Sequence, residues 1–174
     1  MTIVIIILSS CSLVSSEMVP NDTKTTAARF GLMVEAIESH DKNAVKSMFS
    51  TQVLTQSVDF EAQLEHLFEF IQGQIESWER TGGPGVSEDR NDDGSGRIWK
   101  EIRTTYDIKT SEQKYHISFQ EITKHSQCSD KIGVSSFCII SADDWDKDYN
   151  YWGDLGLPEA FGTLGIFIED NISF

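Results

Sequence analysis

The periodicity of the apolar residues changes once along the chain, at Gly73, and this change restricts the fold more than any other feature of the sequence. Before Gly73 the apolar residues recur with the period of a helix, most clearly at Phe60, Leu64, Leu67, Phe68 and Ile71. After Gly73 they alternate with polar residues, as in the half-buried strands of an antiparallel sheet. A block of helices followed by a block of strands predicts an α+β domain whose helices gather on one face of the sheet.

The first block predicts three helices. One covers about residues 23–39, the next follows an N-cap at Asp41, and the last follows an N-cap at Asp59. Ser50 is predicted to lie in a turn before the last helix. Because no repeat or change of composition divides the sequence, we predict that residues 22–174 form a single domain.

The second block predicts a meander of strands, with a long polar loop over residues 81–96. The strands are expected over residues 74–80, 97–109, 114–124 and 131–141. Cys128 falls in the last predicted turn and Cys138 in the middle of the last strand. A simple hairpin would hold their Cα atoms beyond the ~7 Å limit for a disulfide. An exported protein could nevertheless form one, so the pairing stays open.

The N-terminal segment is typical of a bacterial lipoprotein. An aliphatic run, Ile3–Leu8, precedes two small residues and Cys11, which is the pattern of a lipobox. We therefore predict a signal peptide over residues 1–10, an acylated Cys11, and a Ser-rich tether over residues 11–21. No basic residue precedes Lys24, so we expect the basic part of the signal upstream of the printed start. The alternative is a buried N-terminal strand with an ordinary cysteine.

The charge of the chain limits its partners. Its 28 acidic residues against 14 basic ones give a formal charge of −14. A nucleic-acid-binding protein needs a basic face to reach phosphates, so no nucleic-acid partner is expected. The expected location is the extracytoplasmic face of the cell membrane, with the lipid bilayer as a partner through acylated Cys11.

Four short segments of the chain are distinctive: Leu67–Gly73, Lys100–Asp107, Tyr151–Asp154 and Gly165–Ile168. Together they resemble a family of uncharacterised bacterial lipoproteins, domain-of-unknown-function family 5104. The resemblance implies the fold and the lipid anchor, and it implies no established activity. Helices wrapped by a curled sheet also resemble the nuclear-transport-factor-2-like and SnoaL-like cone. The expected architecture is therefore three N-terminal helices packed on a curved antiparallel sheet.

One acidic segment matches the first half of a calcium-binding loop. Asp89, Asn91 and Asp93 alternate as oxygen ligands do in such a loop, and a glycine follows them. The second half fails, because Lys100 stands where the bidentate glutamate is needed. The favoured interpretation is a solvated acidic hairpin loop. We therefore expect neither a metal site nor another cofactor.

The aromatic residues of the predicted sheet favour a binding module over a catalyst. Candidate contacts for a small ligand or an envelope protein are Trp78, Trp99, Tyr106, Tyr115, Trp152 and Asp154. Trp99 is expected to be exposed, unless residues 145–152 cover it. One alternative is a ketosteroid-isomerase-like enzyme that uses Tyr106, Tyr115 and a carboxylate in a cone pocket. A structural or immunity-like envelope protein is another. No nucleophile–base pair is recognised, and no catalytic residue is assigned.

Overall fold

The computed structural model describes residues 18–90, 97–143 and 164–168. Four helices come first in the described chain, and five strands follow them. The helices are α1 (Met18–Glu38), α2 (Lys42–Met48), α3 (Thr51–Gln56) and α4 (Phe60–Phe70). The strands are β1 (Ile75–Arg90), β2 (Ile98–Thr110), β3 (Lys114–His125), β4 (Gly133–Ser141) and β5 (Gly165–Ile168), and a short 3-10 turn, Ser129–Lys131, precedes β4. No described helix is long and apolar enough to cross a membrane.

The described part of the chain has one helix more than predicted, because Ser50 is the N-cap of α3 and does not lie in a plain turn. Its side-chain oxygen accepts a hydrogen bond from Val53 N at 3.3 Å and so caps α3. Asp41 caps α2 as predicted, accepting from Ala44 N at 2.9 Å. Asp59 makes no side-chain cap for α4 and lies in the left-handed region at φ 52°. Asp59 is therefore the N-cap residue of α4 as predicted, but its side chain does not cap the helix.

The sheet is open and mixed, which corrects the predicted cone. Its strand order is β1-β2-β3-β4-β5, with β1 and β5 at opposite edges. The first four strands form the expected antiparallel meander, but β5 pairs parallel to β4. β5 joins the sheet because it adds apolar side chains to the core: Ile166 and Ile168 are both buried. The domain is α+β, but it is not three helices on a closed antiparallel cone.

Much of the predicted loop over residues 81–96 is strand. β1 continues to Arg90 and pairs with β2 along its length, although the register shifts between Arg80 and Gly82 and again before Gly85. An edge strand tolerates glycine and proline, since only one side of it must supply ladder hydrogen bonds. Residues 82–85 are glycine and proline, so their pattern predicts a loop although they belong to an edge strand.

The two faces of the sheet differ in chemistry. The face under the helices carries alternate apolar residues of β2, β3 and β4, which pack with α1 and α4: Tyr106, Ile108, Tyr115, Ile117, Phe119, Phe137 and Ile139. The opposite face is largely polar in β2 and β3. There Asp107 is nearly fully buried and pairs with Lys114 Nζ at 2.5 Å and with His116. The helix-side face therefore holds the main core.

Candidate functional site

A surface groove of about 740 Å³ runs between α1 and the segments that join α2 to α3 and lead into β4. We call it the α1 groove and define it by six of its lining residues: Lys24, Arg29, Leu32, Met48, Phe49 and Ile132. Leu32 is 57% exposed and Ile132 is 42% exposed, so both walls present large apolar side chains to solvent. Such exposed apolar surface in a concavity is typical of binding sites.

The α1 wall is polar at one end and apolar at the other. Lys24, Ala28 and Leu32 follow the i, i+4, i+8 spacing that places residues on one face of a helix. Arg29 lies beside this row and also lines the groove. Lys24 therefore lies at the N-terminal end of the wall, and Leu32 lies about 12 Å further along the helix axis, at ~1.5 Å per residue; Arg29 lies between them, about 4.5 Å before Leu32.

The opposite wall depends on a close approach of two backbones. Phe49 forms an isolated parallel bridge with Val134, and Ser50 N donates to Val134 O at 3.0 Å. Gly133 has φ +132°, and a Cβ there would lie 2.8 Å from Ser50 N and 3.0 Å from Met48 O. Only glycine fits this contact without displacing backbone, so Gly133 keeps the start of β4 against the end of α2.

A buried ion pair lies beside the groove. Arg29 Nη1 is 3.0 Å from Glu121 Oε2, and the Glu121 side chain is fully buried while that of Arg29 is 32% exposed. Neither carboxylate oxygen has a partner with good hydrogen-bond geometry among the described residues, although the Thr26 hydroxyl is near enough to act on the pKa of the carboxyl. Burial raises the pKa of the Glu121 carboxyl, and the Arg29 charge acts against that rise. Arg29 therefore joins the groove to a carboxylate in the core.

Glu121 belongs to a small polar cluster under α1. Within the described chain, the hydroxyls of Thr26, Thr104 and Tyr106 are buried and lack a hydrogen-bond partner. Tyr106 stacks on Phe30 of α1, with ring centroids 3.7 Å apart. Burial raises the pKa of Tyr106 to about 12, and the nearby Thr104 hydroxyl acts against that rise. The Tyr106 hydroxyl thus stays protonated throughout the physiological pH range.

Comparison with known protein families identifies the family to which the chain belongs. The family described as Domain of unknown function (DUF5104) matches residues 32–142, more than half of the sequence. The chain belongs to this family. The matched residues include Leu32, Glu121 and Ile132, whereas Lys24 and Arg29 lie before them. No curated protein matches the chain.

The DUF5104 structure brings two of the predicted aromatic contacts together. Trp78 is 37% exposed and packs edge-on against Phe30 at 5.3 Å and Tyr106 at 5.8 Å. Trp99 is only partly exposed and lies at the far end of β2, in register with Asp89 and His125. Trp78 and Tyr106 thus form one aromatic group with Phe30, and Trp99 is separate from it.

Tyr115 has a structural position in the DUF5104 domain. Its hydroxyl accepts from Gln72 N at 2.7 Å and donates to Phe70 O at 2.9 Å. Gln113 is a further partner of the same oxygen. These bonds tie the end of α4 to β3, so the Tyr115 hydroxyl is fully used in holding the fold together.

The remaining predicted residues can be placed only in part. Asp89 is exposed near the end of β1, while Asn91 and Asp93 fall outside the described residues. Cys11, Trp152 and Asp154 also fall outside them. The part of the chain that the structure describes contains no group of three potential metal-ligating side chains. Within the described residues neither cysteine forms a disulfide: Cys128 is exposed and Cys138 is buried.

The sequence analysis missed the residues of the groove and of the ion pair. Glu121 was detectable, because it continues the core-facing register of β3 after Tyr115, Ile117 and Phe119. A charged residue in that register needs a partner and so points to a special site. Arg29 gives no comparable signal, since only the packing of α1 on the sheet brings it to Glu121.

Proposed function

We propose that this DUF5104 chain is an exported bacterial lipoprotein that acylated Cys11 holds at the extracytoplasmic face of the membrane. Its domain binds a ligand or a partner without transforming it. The lipobox-like segment that ends at Cys11 supports the anchor. A tether then leads to α1, which begins at Met18 and so takes up the last residues of the tether predicted over residues 11–21. The bound molecule is thus expected close to the membrane.

The α1 groove is the observation that carries the binding function. It has the volume of a small-molecule site, about 740 Å³, and exposes Leu32 and Ile132 on facing walls. Its described lining combines two cations with several large apolar side chains, which can bind the polar and apolar parts of a ligand. The enzyme alternative placed Tyr106, Tyr115 and a carboxylate in a cone pocket, and the open sheet gives it less support than the groove gives to binding. We therefore place the function at the groove.

The anchor is tested by palmitate labelling in a bacterial host. The wild-type chain should incorporate the label, and Cys11→Ser should abolish it because the acylated thiol is absent. Cys128→Ser is the matched control, since Cys128 is an exposed free thiol and should not affect labelling. Labelling that persists in Cys11→Ser would contradict the proposed anchor.

Binding is tested on the full chain carrying Cys11→Ser, by thermal shift against a panel of metabolites and peptides. A ligand at 100 times its dissociation constant should stabilise the fold by about 2.7 kcal/mol. Leu32→Glu should abolish that shift by placing a charge in the apolar part of the groove. Leu54→Glu is the control, because Leu54 is 39% exposed and is not among the residues that line the groove. Turnover of a panel member that Tyr106→Phe abolishes, with the fold intact, would contradict a non-catalytic function.

A further inference from the structure

We propose that the α1 groove binds a single-chain amphiphile with a carboxylate head, with the head at Lys24 and Arg29 and the apolar chain along Leu32, Met48 and Ile132. This inference rests on the proposed binding function and names the class of ligand.

The polarity of the groove matches such a molecule along its length. Lys24 lies at the N-terminal end of the α1 wall and Arg29 lies one turn before Leu32, while Leu32, Met48 and Ile132 supply large apolar side chains to the lining. A compact polar metabolite would leave Leu32 and Ile132, at 57% and 42% exposure, uncovered. An aliphatic chain would remove both side chains from water, which is the main source of affinity in an apolar site.

The charge of the groove favours an anion over a cation. The chain carries 28 acidic residues, yet the described lining of the groove holds two cations and no carboxylate. The lining thus carries cations in an acidic chain of net charge −14, with Lys24 supplying a positive charge beside the Arg29–Glu121 pair. An anionic head would meet a complementary potential here, whereas a cationic head would meet repulsion.

Arg29 can hold the head group without leaving Glu121. A guanidinium has five N–H donors, more than the 3.0 Å contact between Arg29 Nη1 and Glu121 Oε2 can use. The Arg29 side chain is 32% exposed at the groove, so donors remain open to a ligand. Planar guanidinium donors match the two oxygens of a carboxylate. The buried Glu121 in turn fixes the position of the guanidinium.

The test is isothermal titration calorimetry on the full chain carrying Cys11→Ser, below the micelle concentration of each probe. Dodecanoate should bind at one site. Dodecyltrimethylammonium has the same chain with a cationic head, and acetate has the head without the chain; each should bind at least about tenfold more weakly, a difference of ~1.4 kcal/mol.

Two variants with matched controls locate the site. Leu32→Glu should weaken dodecanoate binding by at least about tenfold, and Lys24→Gln by about threefold to tenfold, because one removes the apolar wall and the other a head-group charge. Leu54→Glu and Lys109→Gln should leave the affinity unchanged, since neither residue lines the groove. Circular dichroism should show that all four variants are folded.

Three results would overturn the inference. They are equal binding of dodecyltrimethylammonium, binding of dodecanoate that Leu32→Glu leaves unchanged, and no dodecanoate binding at all. If a panel member of another class binds and Leu32→Glu abolishes that binding, the ligand class is wrong while the proposed function stands. If Leu32→Glu affects no binding of any kind, both proposals fail.

Discussion

Removing the Arg29 guanidinium should destabilise the domain in a pH-dependent way. Arg29→Met keeps an apolar stem at this position and leaves the fully buried Glu121 without its cation. Leaving a buried carboxylate without its cation typically lowers the free energy of unfolding by about 3 to 5 kcal/mol. Glu121 can avoid part of that penalty by taking up a proton. The free energy needed to protonate Glu121 then sets an upper limit on the loss of stability.

The magnitude follows from the ordinary pKa of the group. Protonating a carboxyl of pKa 4.5 at pH 7 costs about 3 kcal/mol, at ~1.36 kcal/mol for each pH unit. At pH 5 the same step costs less than about 1 kcal/mol. Because Glu121 has a raised folded pKa, its protonated form stabilises the fold below the unfolded pKa, and this stability is lost as the pH rises through the folded pKa. Arg29→Met raises the folded pKa further and so deepens the loss at pH 7.

Urea unfolding at pH 5 and pH 7 measures the loss of stability at each pH. A pH of 5 stays above the sequence pI of about 4.5. We expect Arg29→Met to lose about 2 to 3 kcal/mol at pH 7 and under about 1 kcal/mol at pH 5. Adding Glu121→Gln should restore most of the loss at pH 7. Lys42→Met is the control, because its partner Glu65 is exposed and the pair should contribute under about 1 kcal/mol. A loss that is equal at both pH values would refute the reasoning.

Three further substitutions test the packing that positions the site. Leu67→Ala should lower the free energy of unfolding by about 2 to 5 kcal/mol, because Leu67 is buried on α4; a change below about 1 kcal/mol would place that face outside the core. Tyr115→Phe should lower it by about 1 to 2 kcal/mol through the lost bond to Gln72 N–H, and an unchanged midpoint in urea would show that the bond adds nothing. Gly133→Ala should lower it by about 1 to 3 kcal/mol, since its Cβ would meet Ser50 N; wild-type stability would mean that the two segments separate easily.

The local pattern of the sequence predicted the α+β class and most of the element positions. The apolar stripe of α4 is buried at Phe60, Leu64, Leu67 and Phe68, as its spacing indicated. The strands predicted over residues 97–109, 114–124 and 131–141 match β2, β3 and β4 within two residues at each end. Period and capping are local properties, so the sequence shows them directly.

The errors concern features that tertiary contacts decide. Ser50 suits both a turn and an N-cap, and its neighbours in α3 form too short a pattern to distinguish them. β5 has four residues, and only its position beside β4 makes it a parallel strand. The α1 groove joins residues more than 100 positions apart, such as Lys24 and Ile132, so no local pattern could reveal it. The candidate site therefore required the structure, whereas the class of the fold did not.

Hydrogen–deuterium exchange with and without dodecanoate tests the central claim, that the α1 groove is the binding site, most directly. The experiment uses the full chain carrying Cys11→Ser, and mass spectrometry of peptides locates any change in amide protection. We predict that dodecanoate slows exchange in residues 24–32 of α1 and in residues 132–134 at the start of β4, which form the facing walls. Leu32→Glu should remove that protection. Protection confined to other segments, or none at a saturating concentration of dodecanoate, would contradict the account.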